Sequence, residues 1–259
     1  MIFERDKDSK FYHLTISLIL FSFYYCKNCV MKILNNVLSL FYPRLCAGCG
    51  DALQHHEACL CLHCQLHLPE TNFHKEHDNP LKLVFAGRVK VEEVAALLYY
   101  KKGTSTQHIL HNLKYNGQKE LGDFLGAYYG RQLAMEPRFQ EIDTIIPIPL
   151  HPRKERKRGY NQSEWIAKGL SRGMGIPYRT DVLVRTHFTE TQTRKSRFNR
   201  WENVKEVFVV QNGEKVKGQH LLVCDDVLTT GATTEAAVRQ LLEIEGVRVS
   251  VVTLATATH

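Results

Sequence analysis

The segment LLVCDDVLTTGAT at residues 221–233 constrains the fold more than any other part of this chain. Four apolar residues lead into two adjacent carboxylates, Asp225 and Asp226, and a hydroxyl-rich turn follows before a helical pattern begins. A buried strand whose carboxyl end opens into a tight turn at a helix start is typical of open α/β sheets, where the turn amides cradle an anion. The segment therefore predicts an α/β domain with an anion site at one edge of its sheet.

The turn and the two acids together indicate the kind of ligand. Backbone amides and hydroxyls of the turn suit one phosphate group, and Gly231 allows close approach because it has no side chain. Carboxylates repel phosphate and instead accept hydrogen bonds from hydroxyls or bind hydrated magnesium. A purely structural Asp-Asp turn would explain the acids but not the TTGAT that follows. We therefore expect a sugar phosphate, with the phosphate held by Thr229, Thr230, Gly231, Ala232 and Thr233.

Apolar runs and helically spaced apolar residues alternate along residues 81–259, which favours a mostly parallel sheet flanked by helices. We expect strands at residues 142–150, 207–210, 221–227 and 247–254, and a strand or hairpin arm at 91–103. Helices are expected at residues 104–115, 119–133, 162–170 and 234–244.

Cysteines mark a second, smaller module. Seven of the eight lie between Cys26 and Cys64, which favours a local metal site in a reducing compartment over a disulfide framework. Two C-x-x-C pairs predict a structural zinc ribbon with a closed tetrahedral site. Cys59 is an alternative to Cys61 as the third ligand, and Cys26 with Cys29 is interpreted as a chance pair. The predicted ligands are Cys46, Cys49, Cys61 and Cys64.

The N-terminal 30 residues include the apolar run FYHLTISLILFSFYY. This run is shorter than the roughly 20 residues of a membrane-spanning helix, and no small-residue cleavage site follows it. We expect Met31 to be the biological start, so that residues 1–30 are an extension and membrane association depends on their presence. The resulting domain prediction is an extension at 1–30, a zinc ribbon at 31–70, a linker with little to bury at 71–80, and the α/β domain at 81–259.

The formal net charge of +7 fits a phosphorylated ligand or nucleic acid as partner, although a moderately basic balance alone selects neither.

The acid pair and the TTGAT turn resemble the binding motif for phosphoribosyl pyrophosphate (PRPP) of type I phosphoribosyltransferases. That resemblance implies that Asp225 and Asp226 hold the ribose hydroxyls, that the turn holds the 5′-phosphate, and that Mg²⁺ accompanies PRPP. It also implies a pyrophosphate loop after an earlier strand, for which IPIPLHPRKERKRGYNQ fits. A solvated loop or a nucleic-acid contact would explain the same charges. The basic residues of that loop are Arg153, Lys154, Arg156, Lys157 and Arg158.

A mobile lid is also implied for residues 185–208, although an ordinary surface arm has the same composition. Its basic residues are Arg185, Arg194, Arg197 and Arg200.

Several segments in this order closely resemble the ComF family of competence-associated bacterial proteins. They are the two cysteine pairs, LKYNGQKELG at 113–122, the basic loop, a T-x-x-Q run at 189–192 and VCDDVLTTGAT. The resemblance implies a cytoplasmic protein, with a type I phosphoribosyltransferase-like domain and a small zinc ribbon, that acts in DNA uptake and processing during natural competence. Single-stranded DNA and competence or recombination proteins are the implied partners. The alternative is an active phosphoribosyltransferase, for which the sequence identifies neither an acceptor nor a catalytic residue.

Overall fold

The computed structural model describes residues 43–186 and 207–257. The four-stranded main sheet consists of β1 (Val94–Tyr100), β2 (Thr144–Pro147), β5 (His220–Leu228) and β6 (Arg248–Ala257), in the order β1-β6-β5-β2. All three neighbouring pairs are parallel. The expected parallel sheet is therefore confirmed, and the carboxyl ends of its strands share one edge.

The helices of the described residues are α1 (Leu62–Leu66), α2 (Ser105–Tyr115), α3 (Glu120–Ala134), α4 (Pro137–Gln140), α5 (Pro152–Arg158), α6 (Gln162–Met174) and α7 (Ala232–Leu241). Short 3₁₀ turns occupy Phe73–Lys75, Pro80–Val84 and Gly213–Val216. Within this part of the chain, no helix combines the length and the apolar character that a membrane crossing requires.

The central strand β5 is almost entirely buried up to its last residues. Its apolar side chains Leu221, Leu222 and Val223 are fully inaccessible, as expected for a parallel strand that is covered on both faces. Helix α6 packs on β2 and β5, and α7 packs on β5. The residues at the carboxyl edge of the sheet are therefore attached to a buried strand that helices cover.

Glycines bring helices α3 and α6 into close contact. A Cβ atom at Gly126 would overlap the carbonyl oxygen of Ile166, and one at Gly169 would overlap that of Asp123. Because backbone meets backbone here, α6 has a defined position relative to α3. The start of α6 lies beside the functional edge of the sheet, so this packing also positions the site.

Three expectations about secondary structure are corrected, and one alternative is decided. Of the strand or hairpin arm expected at 91–103, the strand is confirmed as β1, which is a parallel edge strand. The strand expected at 142–150 is only Thr144–Pro147. Strand β4 (Val207–Val210) pairs antiparallel with β3 (Leu183–Thr186) in a separate two-stranded sheet. The basic loop at 153–158 is helix α5, which Pro152 starts at N1 and Gly159 ends with a φ of 85°.

The expected linker at 71–80 is also more than a spacer. Phe73 and His74 are buried, and Asn79 donates to the carbonyl oxygen of Val94 at 2.9 Å. This segment therefore packs on the first strand of the sheet. A polar composition did not reveal this, because three of its polar side chains are themselves buried: Thr71, His74 and Asn79.

Candidate functional site

The two acids lie within strand β5, three and two residues before its end. Asp225 Oδ1 accepts hydrogen bonds from the hydroxyl of Ser163 at 2.8 Å and from the amide of Asp226 at 2.8 Å. Ser163 is in the first turn of α6, whose N-cap is Asn161. The start of α6 therefore holds one carboxylate in a fixed orientation.

Asp226 is 5% exposed, and its Oδ1 lies 3.0 Å from Nζ of Lys114 at the end of α2. Its second oxygen, Oδ2, is buried without a hydrogen-bond partner among the described residues. A buried carboxylate oxygen without a donor is costly. The arrangement is therefore suited to a hydroxyl donor or a cation that arrives with a ligand.

Burial, together with the neighbouring charge of Asp226, raises the pKa of Asp225 to about 7, although the amide of Asp226, Ser163 and Lys114 act in the opposite direction. Two adjacent carboxylates in a partly enclosed site resist simultaneous ionisation. Asp225 consequently changes its protonation near neutral pH.

Beyond β5, the turn at residues 229–231 leads directly into α7, which begins at Ala232. Gly231 is the N-cap with a φ of 74°, a conformation that favours glycine. Residues 227–234, together with Asp225, enclose a small cavity of about 60 Å³. Since the first amides of a helix have no acceptor within the helix, they are available to an anion at this point.

A larger cleft of about 960 Å³ adjoins the small cavity and shares Asp225, Val227, Thr229 and Thr233 with it. Its lining includes residues of α2, among them His111, residues at the ends of β2 and β3, and residues of α5. Five basic side chains line this cleft together with the two acids, so its net charge favours an anionic ligand. They are Lys114, Lys154, Lys157, Arg158 and Arg185.

Only part of the predicted basic loop reaches the cleft. Lys154, Lys157 and Arg158 line it, whereas Arg153 and Arg156 are not among its lining residues. The helical periodicity of α5 separates these groups onto different faces. The Arg158 guanidinium donates to the side chain of Gln162 and lies 5.6 Å from the ring centroid of Tyr115.

Of the predicted lid residues, only Arg185 is described; Arg194, Arg197 and Arg200 lie outside the described residues. Arg185 lies in β3, donates to the carbonyl oxygen of Pro149 at 3.4 Å and packs on the ring of Phe208. Burial lowers the pKa of Arg185, and the charge of Asp225 acts in the opposite direction. Arg185 is thus part of the cleft wall.

The four predicted cysteine ligands lie together, with their sulfur atoms all within 4.8 Å of one another. Cys59 is not a member of this group, so the structure favours Cys61 over it. Amides of Gly48 and Cys61 point at Cys46 Sγ at 3.4 and 3.3 Å, and a Cβ at Gly48 would lie 2.9 Å from Cys64 Sγ. Four thiolates at this spacing fit a tetrahedral metal ion.

The cysteine module contacts the wall of the cleft. Asn112 donates to the carbonyl oxygen of Ala47 at 2.9 Å, and His108 lies 3.0 Å from that of Gly48. Both side chains belong to α2, whose residues Leu110, His111, Lys114 and Tyr115 line the cleft. The module therefore supports the helix that provides Lys114.

Sequence reasoning did not assign site roles to Lys114 and Ser163. Lys114 lies in the LKYNGQKELG segment, which contributed to the family resemblance without a chemical role. Ser163 follows the N-cap Asn161 and looks like an ordinary first-turn residue. Nothing in the local sequence indicated that these side chains meet Asp226 and Asp225.

Comparison with known proteins finds similarity over part of the chain. The family model described as the phosphoribosyl transferase domain matches residues 161–259. The DNA utilization protein YhgH of Escherichia coli is 33% identical over 137 residues, which cover 52% of this chain and 59% of that protein. Competence protein F of Haemophilus influenzae is 34% identical over 92 residues, covering 35% of this chain and 40% of that protein. Competence protein ComFC of Bacillus subtilis is 33% identical over 100 residues, covering 39% and 38%.

The matched part of the chain thus spans about three fifths of the length of YhgH. Among solved structures, an adenine phosphoribosyltransferase from Leishmania tarentolae aligns with a TM-score of 0.34 and 19% identity, covering 53% of this chain and 58% of that one. The allosteric regulatory enzyme of purine biosynthesis aligns with a TM-score of 0.36 and 20% identity, covering 54% and 29%. Residues 161–259 thus match the phosphoribosyl transferase domain, and the chain is similar in sequence to proteins named as competence and DNA utilization proteins.

Proposed function

We propose that the cleft at the carboxyl edge of the sheet binds PRPP, or a closely related sugar phosphate, together with Mg²⁺. The observation that carries this proposal is the unsatisfied Oδ2 of Asp226 beside the turn at the start of α7. A diol or a metal ion satisfies the carboxylate of Asp226, and a phosphate satisfies the backbone amides of the turn. One ligand that contains both therefore fits the site.

Each part of the ligand has a matching set of side chains. Asp225 and Asp226 would hold the ribose hydroxyls, and residues 229–233 would hold the 5′-phosphate. Lys154, Lys157 and Arg158 would face the pyrophosphate, with Arg185 beside them. When bound with PRPP, Mg²⁺ would neutralise pyrophosphate charge, and its protein partners would be the two aspartates.

A structural Zn²⁺ is the metal that we propose for Cys46, Cys49, Cys61 and Cys64. Four thiolates complete a tetrahedral site and leave no open position for chemistry. In this proposal the ion stabilises the turn that contacts α2, and the zinc module acts on the sugar-phosphate site only through that helix.

The cellular role that we propose is DNA uptake and processing during natural competence, within the cytoplasm. The support comes from relatives named as competence and DNA utilization proteins and from the formal charge of +7. Single-stranded DNA is the proposed macromolecular partner, alongside competence or recombination proteins. Binding to phosphates would weaken steeply as salt rises.

Calorimetric titration with PRPP and Mg²⁺ tests the sugar-phosphate site. We expect wild type to bind, and both Asp225→Asn and Asp226→Asn to lose at least tenfold in affinity because each removes an anionic acceptor. Asp143→Asn is the matched control, since Asp143 is an exposed carboxylate at the opposite edge of the same sheet. Equal affinity of wild type and both site variants would refute the proposed roles of the acids.

Pyrophosphate release separates binding from transfer. If the protein transferred ribose 5-phosphate to an acceptor, incubation with PRPP, Mg²⁺ and candidate acceptors would release pyrophosphate, and Asp225→Asn would suppress that release. Binding without release would favour the binding protein over the transferase.

A further inference from the structure

The segment that precedes β1 lies directly against the turn that leads into α7. It comprises the 3₁₀ turn Pro80–Val84 and the residues that follow, up to Arg88. The Asn79 side chain accepts from the amide of Leu81 at 3.1 Å and donates to the carbonyl oxygen of Val94 at 2.9 Å. The segment is thereby anchored to the sheet and presents a fixed surface to the turn.

The first contact of this surface is apolar. A Cβ at Gly231 would lie 2.6 Å from Cγ1 of Val84 and 3.4 Å from the ring of Phe85, which is 1% exposed. Neither Val84 nor Phe85 lines the small cavity that the turn encloses. The turn is therefore packed against an apolar surface that is not part of the cavity lining.

Arg88 provides the polar part of the contact. Its Nη1 donates to the carbonyl oxygen of Thr230 at 2.9 Å and to that of Val84 at 3.0 Å. Its Nη2 pairs with the carboxylate of Glu235 in α7. Hydrogen bonds from Arg239 lower the pKa of Glu235, and the charge of Arg88 lowers it further. The guanidinium thus connects the turn, the helix and the N-terminal segment.

The bond to Thr230 has a consequence for the next amide. The described residues contain no cis peptide, and in a trans peptide the carbonyl and the following N–H point in opposite directions. A Thr230 carbonyl that points at Arg88 therefore turns the N–H of Gly231 away from Arg88. Arg88 does not line the small cavity, whereas Thr230 and Gly231 do.

We propose that Arg88 is a positioning residue of the phosphate site, one that orients the Thr230–Gly231 peptide so that its amide faces the 5′-phosphate of the ligand. This inference rests on the proposed function, because it assigns the anion to the turn. An ion pair with Glu235 alone would contribute little at a side chain that is 39% exposed. The hydrogen bond to the backbone distinguishes a positioning role from a surface ion pair.

Three variants separate these roles. Arg88→Ala removes both contacts, whereas Glu235→Gln weakens the ion pair and leaves the bond from Arg88 to Thr230. Arg248→Gln is the matched control, since Arg248 is a partly exposed arginine paired with Glu141 at 3.2 Å near the start of β6, at the other edge of the sheet. Each protein is titrated with ribose 5-phosphate and, separately, with magnesium pyrophosphate.

We expect Arg88→Ala to bind ribose 5-phosphate about tenfold more weakly, since a charge-assisted hydrogen bond no longer orients the amide. Its affinity for pyrophosphate should stay within about twofold of wild type, because the proposed pyrophosphate contacts come from α5. Glu235→Gln and Arg248→Gln should bind both ligands about as wild type does. Unchanged affinity of Arg88→Ala for ribose 5-phosphate would overturn the proposal, and so would an equal loss for both ligands.

Hydrogen–deuterium exchange of the ligand-free proteins supplies a readout that does not need binding. Arg88→Ala should increase exchange in peptides that cover residues 229–234, relative to wild type and Arg248→Gln. Unchanged exchange there contradicts positioning by Arg88. If wild type binds neither PRPP nor ribose 5-phosphate, the proposed function fails, while the exchange result still decides whether Arg88 holds the turn.

Discussion

Lys114 Nζ lies 3.0 Å from Oδ1 of Asp226, so that the last turn of α2 places an ammonium group against the acid pair of β5. The lysine side chain is 25% exposed and the aspartate side chain is 8% exposed. Asp225 lies next to this pair and is influenced by it, since the charge of Lys114 opposes the rise in the pKa of Asp225. Lys114 therefore helps to set the pH at which Asp225 loses its proton.

Lys114→Met tests this relationship. Loss of the ammonium should raise the pKa of Asp225 further, so fewer sites would carry both charges at neutral pH. We expect the affinity for magnesium PRPP, measured calorimetrically from pH 6 to 8.5, to rise with pH and its midpoint to move upward by about one pH unit. Lys168→Met is the control, because Lys168 lies over the ring of Trp165, 4.6 Å from its centroid. An unshifted midpoint in Lys114→Met would contradict the role of Lys114.

Asp225→Asn should alter the dependence of stability on pH. The pKa of Asp225 is about 7 in the folded protein against a reference value of 3.8. Between these values the folded state holds a proton that the unfolded state has released, so stability falls as pH rises. Asparagine does not titrate, so Asp225→Asn lacks this loss of stability. The free energy of unfolding of the variant, relative to that of wild type, should therefore increase from about pH 4 to pH 7 and stay constant at higher pH. Urea unfolding across this range measures the difference, and parallel curves throughout would show that the pKa is not raised.

Gly231→Ala should destabilise the turn through two separate effects. The backbone φ of 74° disfavours a side chain, and Val84 occupies the space where Cβ would lie. Gly87→Ala isolates the first effect, since Gly87 has a φ of 69° and no atom within 4 Å of its Cβ position. We expect Gly87→Ala to lower the free energy of unfolding by about 1 kcal/mol and Gly231→Ala to lower it by about 1 kcal/mol more. Equal losses would mean that Val84 moves aside without cost.

Cys59 and Cys61 offer a matched pair for the metal site. Cys61→Ser should reduce bound zinc well below one equivalent, whereas Cys59→Ser should retain it, because only Cys61 belongs to the group of four sulfur atoms. Elemental analysis of the purified proteins measures the zinc. Retention in Cys61→Ser together with loss in Cys59→Ser would reverse the assignment.

Local sequence determined the strand with its two acids, the turn with Gly231 and the paired cysteines, because each is a continuous pattern whose chemistry depends on spacing along the chain. It predicted the parallel sheet for the same reason, since buried parallel strands are apolar on both faces. The prediction of a basic loop was wrong, because Pro152 and Gly159 delimit a helix in that segment.

Only the tertiary structure brought Ser163 to Asp225, Lys114 to Asp226 and Arg88 to Thr230. These partners come from three different segments, and each is an ordinary polar residue in its own local sequence. Their meeting depends on strand order and on the close packing of α3 against α6, which no local pattern encodes. The sequence therefore specified the chemical groups of the site, and the packing of the folded chain decided which groups support them.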